Sequence, residues 1–239
     1  MPSSSVPLVI AHRGATATAR ENTLAAFAAA ADAGANWIEL DTHLAADGQV
    51  VVFHNDHYDD GRPVHEVSSS QRPEEVPLLG EVLDLCSEAD LGVNVEIKAL
   101  PGEADAETSP ALGDAVMKIL ETHALAGGRV KGTQRLLVTS FRPESIAQVR
   151  ERGASPTGLL TVTVEDPHAT ARRLADEGHA AINPWDLIVT GALVEAAHDA
   201  GLDVNVWTVN DPTRMIELAR WGVDGIITDL PDVAIDTLS

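Results

Sequence analysis

The chain has 239 residues, 44% of them hydrophobic, enough to bury a full core in one α/β barrel or two small domains. With 16 Lys and Arg against 37 Asp and Glu, its formal net charge of −21 sets most of the surface against nucleic acid and anionic membranes. An anionic substrate would also be repelled, so a chain that handles one needs a local positive centre.

In chain order, apolar runs of strand length alternate with segments of helical period. Strands are predicted at residues 8–11, 37–41, 93–97, 135–139, 157–161, 180–183, 204–208 and 225–228, and helices at 23–32, 79–88, 110–123, 143–152, 167–177, 191–200, 212–220 and 231–237. Several helices open on proline after a residue that can cap, as in Asp166-Pro167 and Asp211-Pro212. Several close on glycine: Gly34, Gly153, Gly178, Gly201 and Gly222. Strict alternation means parallel strands joined by crossovers, and eight such pairs close a (β/α)8 TIM barrel; a doubly wound open sheet is the alternative. Polar residues gather at the ends of many strands, among them His12, Asp41, Glu96, Ser140, Asn183, Trp207 and Asp229. In a barrel, all those ends open on one face.

Two stretches interrupt the alternation. The apolar run 50–53 follows an Asp47-Gly48 turn, so the second strand is expected to turn back as a hairpin ending at His54. Residues 55–77 are polar and read as a cap-like insertion after the second strand, and residues 99–109 as a second irregular stretch. With no linker or charge block, residues 1–239 are expected to form a single domain. Residues 1–7 carry no basic region or signal-like apolar stretch, and no apolar run reaches the roughly 18 residues of a membrane span. A cytoplasmic protein without stable membrane insertion is expected. The lone Cys86 excludes an internal disulfide and sits in an apolar run, where a buried thiol is expected.

Glu39 and Asp41 stand two apart on a core strand and therefore leave one face. Side by side they call for a compensating cation, either a basic side chain or a bound metal. Glu96 and Lys98 repeat the pattern, so three acids converge on one mouth. Oxygen-only ligation favours Mg²⁺ or Ca²⁺ over zinc. Beside them, His12-Arg13-Gly14 offers a titratable ring, a planar fork for phosphate or carboxylate, and close backbone approach. His54 ends another run near the same face. Two histidines flanking an acidic, cation-holding cluster make an acid and base pair suited to ester hydrolysis.

These residues belong to a longer ordered set: His12-Arg13-Gly14, Glu21-Asn22-Thr23, Glu39-Leu40-Asp41, Asp47-Gly48, Val52-Phe53-His54, Glu96-Ile97-Lys98, Trp207-Thr208-Val209-Asn210, and the run from Gly222 through Asp229. Spanning nearly the whole chain, the set resembles the motifs of the glycerophosphodiester phosphodiesterase family. The resemblance implies a (β/α)8 barrel that hydrolyses small-molecule glycerophosphodiesters to sn-glycerol 3-phosphate and an alcohol with one divalent cation, Mg²⁺ or Ca²⁺. Glu39, Asp41 and Glu96 would hold the metal, and His12 and His54 would be the catalytic pair; which is acid and which base stays open, with His54 as base and His12 as acid the favoured arrangement. Arg13 and Lys98 would face the phosphate, while Trp207, with Phe141 beside it, would line the glycerol pocket.

Asn22 is expected to cap the helix that follows, with Glu21 orienting other residues from behind. His43 continues the alternation of the acids and is expected to be a solvent-facing or hydrogen-bonded histidine rather than a fourth ligand. The chain departs from the family pattern in three places. Arg20 stands where proline is usual, Asn55 rather than aspartate follows the second histidine, and Asp59-Asp60-Gly61-Arg62 replaces a threonine- and glycine-rich stretch. Two other readings compete. A lysophospholipid-directed phosphodiesterase would require an apolar groove, whereas residues 55–77 are polar; a non-catalytic phosphate-binding barrel would lack a histidine or an acid, and none is missing.

Overall fold

The computed structural model describes residues 6–98, 109–123, 129–130, 133–151 and 155–239. Most of the irregular stretch predicted at 99–109, and the helix-closing Gly153, lie outside the described residues. Eight parallel strands close into a barrel: β1 (Leu8–His12), β2 (Trp37–Leu44), β4 (Gly92–Ile97), β7 (Leu136–Ser140), β8 (Thr157–Thr161), β9 (Ala181–Pro184), β10 (Asp203–Val206) and β11 (Gly225–Thr228). Closure is made by β1, which pairs with β11 through Leu8↔Gly225 on one side and with β2 through His12↔Glu39 on the other. The doubly wound alternative is thereby excluded.

Helices α1 (Leu24–Asp32), α2 (Leu79–Glu88), α3 (Ser109–Thr122), α4 (Pro143–Glu151), α5 (Pro167–Asp176), α6 (Gly191–Asp199), α7 (Pro212–Trp221) and α8 (Pro231–Leu238) fall within one or two residues of the predicted segments. The signals that placed them are the ones the backbone uses. Asp166 accepts from the Ala169 amide and Asp211 from the Thr213 amide, each with proline next. Gly222 closes α7 at φ +86°, a left-handed conformation that a side chain disfavours. The helices cover the barrel with a core that includes Phe27, Leu79, Leu83, Met117, Leu174 and Leu218, all fully buried and each stabilising the fold by about 1.5–3 kcal/mol.

Inside the barrel, alternate residues point at the axis. Trp37 fills the space beside Gly92, where an added Cβ would meet the indole ring at 2.3 Å, and packs with Ile10, Leu137, Ala181 and Ile227 to close the lower end. Above that plug the inward residues turn polar.

The expected hairpin is present. β2 runs on past Asp41 to Leu44, turns, and pairs antiparallel with β3 (Val50–Val52) through Thr42↔Val52. The return brings the Phe53 amide to the Asp41 carbonyl at 3.0 Å and thereby sets His54 at the barrel mouth. Residues 55–77 then build a small cluster of their own in which Tyr58, Val64, Val67 and Val76 pack on Ala45, Val51 and Phe53. Arg20, at the position where the family pattern has proline, ties that insertion to the loop after β1 through Asp59 (2.6 Å) and Glu75 (2.7 Å). A short antiparallel pair not predicted from sequence, β5 (Arg129–Val130) with β6 (Thr133–Gln134), precedes β7. Among the described residues, no helix is long and apolar enough to cross a membrane.

Candidate active site

The strand alternation that places Glu39 and Asp41 on one face aims both into the mouth, and register sets Asp41 opposite Glu96 on β4. The three carboxylates offer oxygen atoms all within 4.8 Å of one another, and all three residues are buried. Arg13 and Lys98 share the cluster. Lys98 Nζ lies 3.2 Å from Asp41 and 3.1 Å from Glu96, and Arg13 Nε lies 3.2 Å from Asp41. Burial alone would raise the Asp41 carboxyl, but Lys98 and Arg13 outweigh it and hold it well below the usual carboxylate range. Glu39 goes the other way, pushed up to about 8 by burial and by Asp41 beside it. Two basic side chains thus leave three acids short of positive charge. Buried oxygen donors this close, with no sulfur among them, suit a hard divalent cation.

Supporting residues fix the acids. Asn22, at φ +56°, donates from Nδ2 to Asp41 Oδ2 at 2.7 Å, and its Oδ1 faces the Asp41 amide at 3.4 Å. The expectation that Asn22 caps α1 is therefore corrected. Thr23 is the cap, accepting from the Ala26 amide, and the asparagine amide is spent on a buried carboxylate. Glu21 accepts from Arg13 Nη1 at 3.0 Å, half-exposed and outside the carboxylate triad, so it orients Arg13 as expected. The Arg13 amide donates to Glu39 Oε2 at 3.1 Å. Gly14 follows at φ +90°, where an added Cβ would sit 2.7 Å from Ala26; only glycine lets the loop lie this close to α1.

The two histidines flank the cluster in contrasting surroundings. His12 Nδ1 lies 2.7 Å from Asp229 Oδ1, and Asn210 Nδ2 donates to the other Asp229 oxygen at 2.7 Å. Burial pulls the His12 pKa down, but the Asp229 carboxylate and Glu39 outweigh it, so the ring titrates above its ordinary value. His54 Nδ1 lies 2.9 Å from the Asn55 Oδ1, a neutral partner. Burial, reinforced by Lys98 and opposed by Asp41, holds His54 below its ordinary value. His43 is fully buried rather than solvent-facing and directs Nε2 to the His54 carbonyl at 3.1 Å, the hydrogen-bonded arrangement, which supports the hairpin.

A cleft of about 210 Å³ opens between two unlike walls. On one side stand His12, Arg13, Glu39, His54, Glu96 and Lys98; on the other, Phe141, Leu160 and Trp207, with Asn94, Thr139 and Ile227 as floor. Phe141 and Trp207 meet edge to face at 5.5 Å, and Trp207 Nε1 donates to the Asn183 carbonyl at 2.7 Å. Among residues lining the cleft, none comes from 55–77. Every candidate named from sequence is brought to this mouth. Asp229 and Asn210, which orient His12, were seen from sequence only as polar strand-end residues; the signal was their place at the ends of adjacent strands.

Comparison with known proteins agrees with the geometry. The family model described as the glycerophosphoryl diester phosphodiesterase family matches residues 12–233. The chain is 30% identical to the glycerophosphodiester phosphodiesterase of Caldanaerobacter subterraneus subsp. tengcongensis, over 96% of this chain and 96% of that protein. It is similar to the crystal structure of the glycerophosphodiester phosphodiesterase from Thermotoga maritima, with TM-score 0.79, 25% identity, and 96% and 97% of the two chains covered. The Oleispira antarctica phosphodiesterase solved in complex with the product sn-glycerol-3-phosphate shares the fold, with TM-score 0.86 at 24% identity over 97% of this chain and 96% of that one.

Proposed function

Because the chain belongs to the glycerophosphoryl diester phosphodiesterase family, and so is a phosphoric diester hydrolase acting on glycerophosphodiesters, we propose that it releases sn-glycerol 3-phosphate by two-histidine acid and base catalysis with one divalent cation, Mg²⁺ or Ca²⁺. Glu39, Asp41 and Glu96 would hold the cation. When bound, it supplies positive charge that stabilises the phosphoryl oxygens in the transition state. The observation that carries the reading is the carboxylate triad with a histidine on either side, one ring paired with a carboxylate and the other with a neutral amide.

The division of labour follows from those partners. His54 donates Nδ1–H to Asn55, which leaves Nε2 unprotonated to take the proton from the attacking oxygen, whether water or the substrate's own glycerol hydroxyl. His12, whose protonated form Asp229 favours, gives its Nε2 proton to the departing alcohol oxygen. Arg13 and Lys98, which already face Asp41, neutralise the phosphate. Trp207 and Phe141 take the carbon face of the glycerol. The product named for the Oleispira antarctica structure supports that substrate class. Residues 1–239 then act as one catalytic domain, with 55–77 inserted after the β2–β3 hairpin; the family match across 12–233 supports this reading.

The test is glycerol 3-phosphate release from a panel of glycerophosphodiesters, first with chelator and then with Mg²⁺ or Ca²⁺ added back. Release that chelator abolishes and one ion restores is the expected result. Release unaffected by chelator removes the cation from the reading, and a Glu96→Gln variant with an unchanged ion requirement removes Glu96 from the ligands.

A further inference from the structure

The insertion 55–77 lines no part of the cleft, yet it begins directly after His54 and is fastened through Arg20 to the opposite side of the mouth. Arg20 leaves the loop between β1 and α1 and forks between two carboxylates, Nη2 to Asp59 at 2.6 Å and Nη1 to Glu75 at 2.7 Å. The two acids stand on separate tight turns. One is closed by the Gly61 amide on the Tyr58 carbonyl (2.8 Å), the other by the Val76 amide on the Pro73 carbonyl (3.1 Å). Both ends of the insertion are thereby drawn to one point on the β1–α1 loop.

Each side of this clasp leads to the site. On the loop, Arg13 and Asn22 hold left-handed backbone at φ +57° and +56°, conformations that persist only where the surroundings over-determine them. Glu21, next to Arg20, accepts from Arg13, and Asn22 donates to Asp41. The Arg20 carbonyl is held in turn by Thr23 Oγ1 at 2.7 Å, so the anchored side chain restrains Glu21 and Asn22 with little slack. On the insertion, the buried Tyr58 precedes Asp59, and its ring lies 5.3 Å from that of Phe53, the residue before His54. Resting on the phosphodiesterase reading above, we propose that Arg20 is a positioning residue: its paired bonds to Asp59 and Glu75 fix the phosphate-facing Arg13 and the carboxylate-holding Asn22 relative to His54, and so set the turnover of the site. Unlike the buried pairs of Lys98, the clasp faces solvent, so dissolved salt screens it and turnover depends on ionic strength.

The test uses the cation-loaded protein and measures kcat on glycerophosphocholine or glycerophosphoethanolamine, whichever is turned over faster; neither carries net charge, so salt does not act through substrate attraction. Assays run in about 0.01 M and about 1 M KCl, between which the screening length falls from roughly 30 Å to roughly 3 Å. Arg20→Gln and the double variant Asp59→Asn, Glu75→Gln open the clasp from its two sides. Exposed ion pairs are weak singly; two together correspond to a roughly fivefold loss of kcat in each variant at low salt, with KM little changed. The triple variant should lose no more than either, and at high salt the gap to the wild type should close to less than about twofold. Wild-type kcat in both variants at low salt, losses that multiply in the triple variant, a gap that survives high salt, or a loss matched by unfolded protein in circular dichroism overturns the clasp while the diesterase reading stands. No turnover of any glycerophosphodiester by the wild type would overturn both.

Discussion

His12 and Asp229, 217 residues apart in the chain, meet at 2.7 Å where the first and last strands of the barrel close on each other. The bond is possible only in the closed barrel, and it fixes the tautomer of His12. With Nδ1–H committed to the carboxylate, the other nitrogen faces the cleft.

Replacing Asp229 by Asn removes the charge but keeps a hydrogen-bonding oxygen. In the wild type, His12 must be protonated to act as acid, so activity falls as pH rises through its raised pKa. Without the carboxylate that pKa drops, and the alkaline fall in kcat should begin at lower pH, with kcat reduced on the order of 10²-fold at neutral pH. The pH–rate profiles of the two proteins check this; an unmoved alkaline limb would remove Asp229 from the mechanism.

Asn22→Gly keeps a backbone tolerant of φ +56° and removes the amide that holds Asp41. Outer partners of ligating carboxylates typically contribute 10- to 100-fold in metal affinity, so titration calorimetry with Mg²⁺ or Ca²⁺ should show a loss of about that size. Unchanged affinity would mean that the strand alone orients Asp41.

At the opposite end of the barrel, Asp203 is pushed up to about 6 by burial and by Asp224. Folded Asp203 holds its proton at pH values where the unfolded chain, near 3.9, has lost it. Its contribution to stability therefore declines as pH rises from about 4 and is lost above about 6. Although its carboxyl is hemmed in, the residue as a whole is exposed, and solvent screening limits the gain in Asp203→Asn to about 1 kcal/mol at pH 7, vanishing near pH 4. Denaturant unfolding at the two pH values tests the sign as well as the size.

The residues legible in the sequence were those whose role follows from local periodicity. Glu39 and Asp41 share a face because strand residues alternate, and the helix starts at Pro167 and Pro212 follow from capping chemistry. What was misread or missed depends on contacts that no local pattern encodes. Asn22 looks like a cap beside Thr23 and is instead drawn to a carboxylate 19 residues on. Asp229 was seen at a strand end, but its histidine lies at the other end of the chain.

The division of labour between the histidines is tested most directly by varying the leaving group. Turnover of glycerophosphocholine, whose alcohol needs a proton to depart, is compared with that of a p-nitrophenyl glycerophosphodiester, whose phenolate does not. His12→Ala should lose on the order of 10²-fold or more with the first substrate and little with the second, whereas His54→Ala should lose a comparable factor with both. Equal losses for His12→Ala on the two substrates, or the selective loss appearing in His54→Ala instead, would contradict the assignment of His12 as acid and His54 as base.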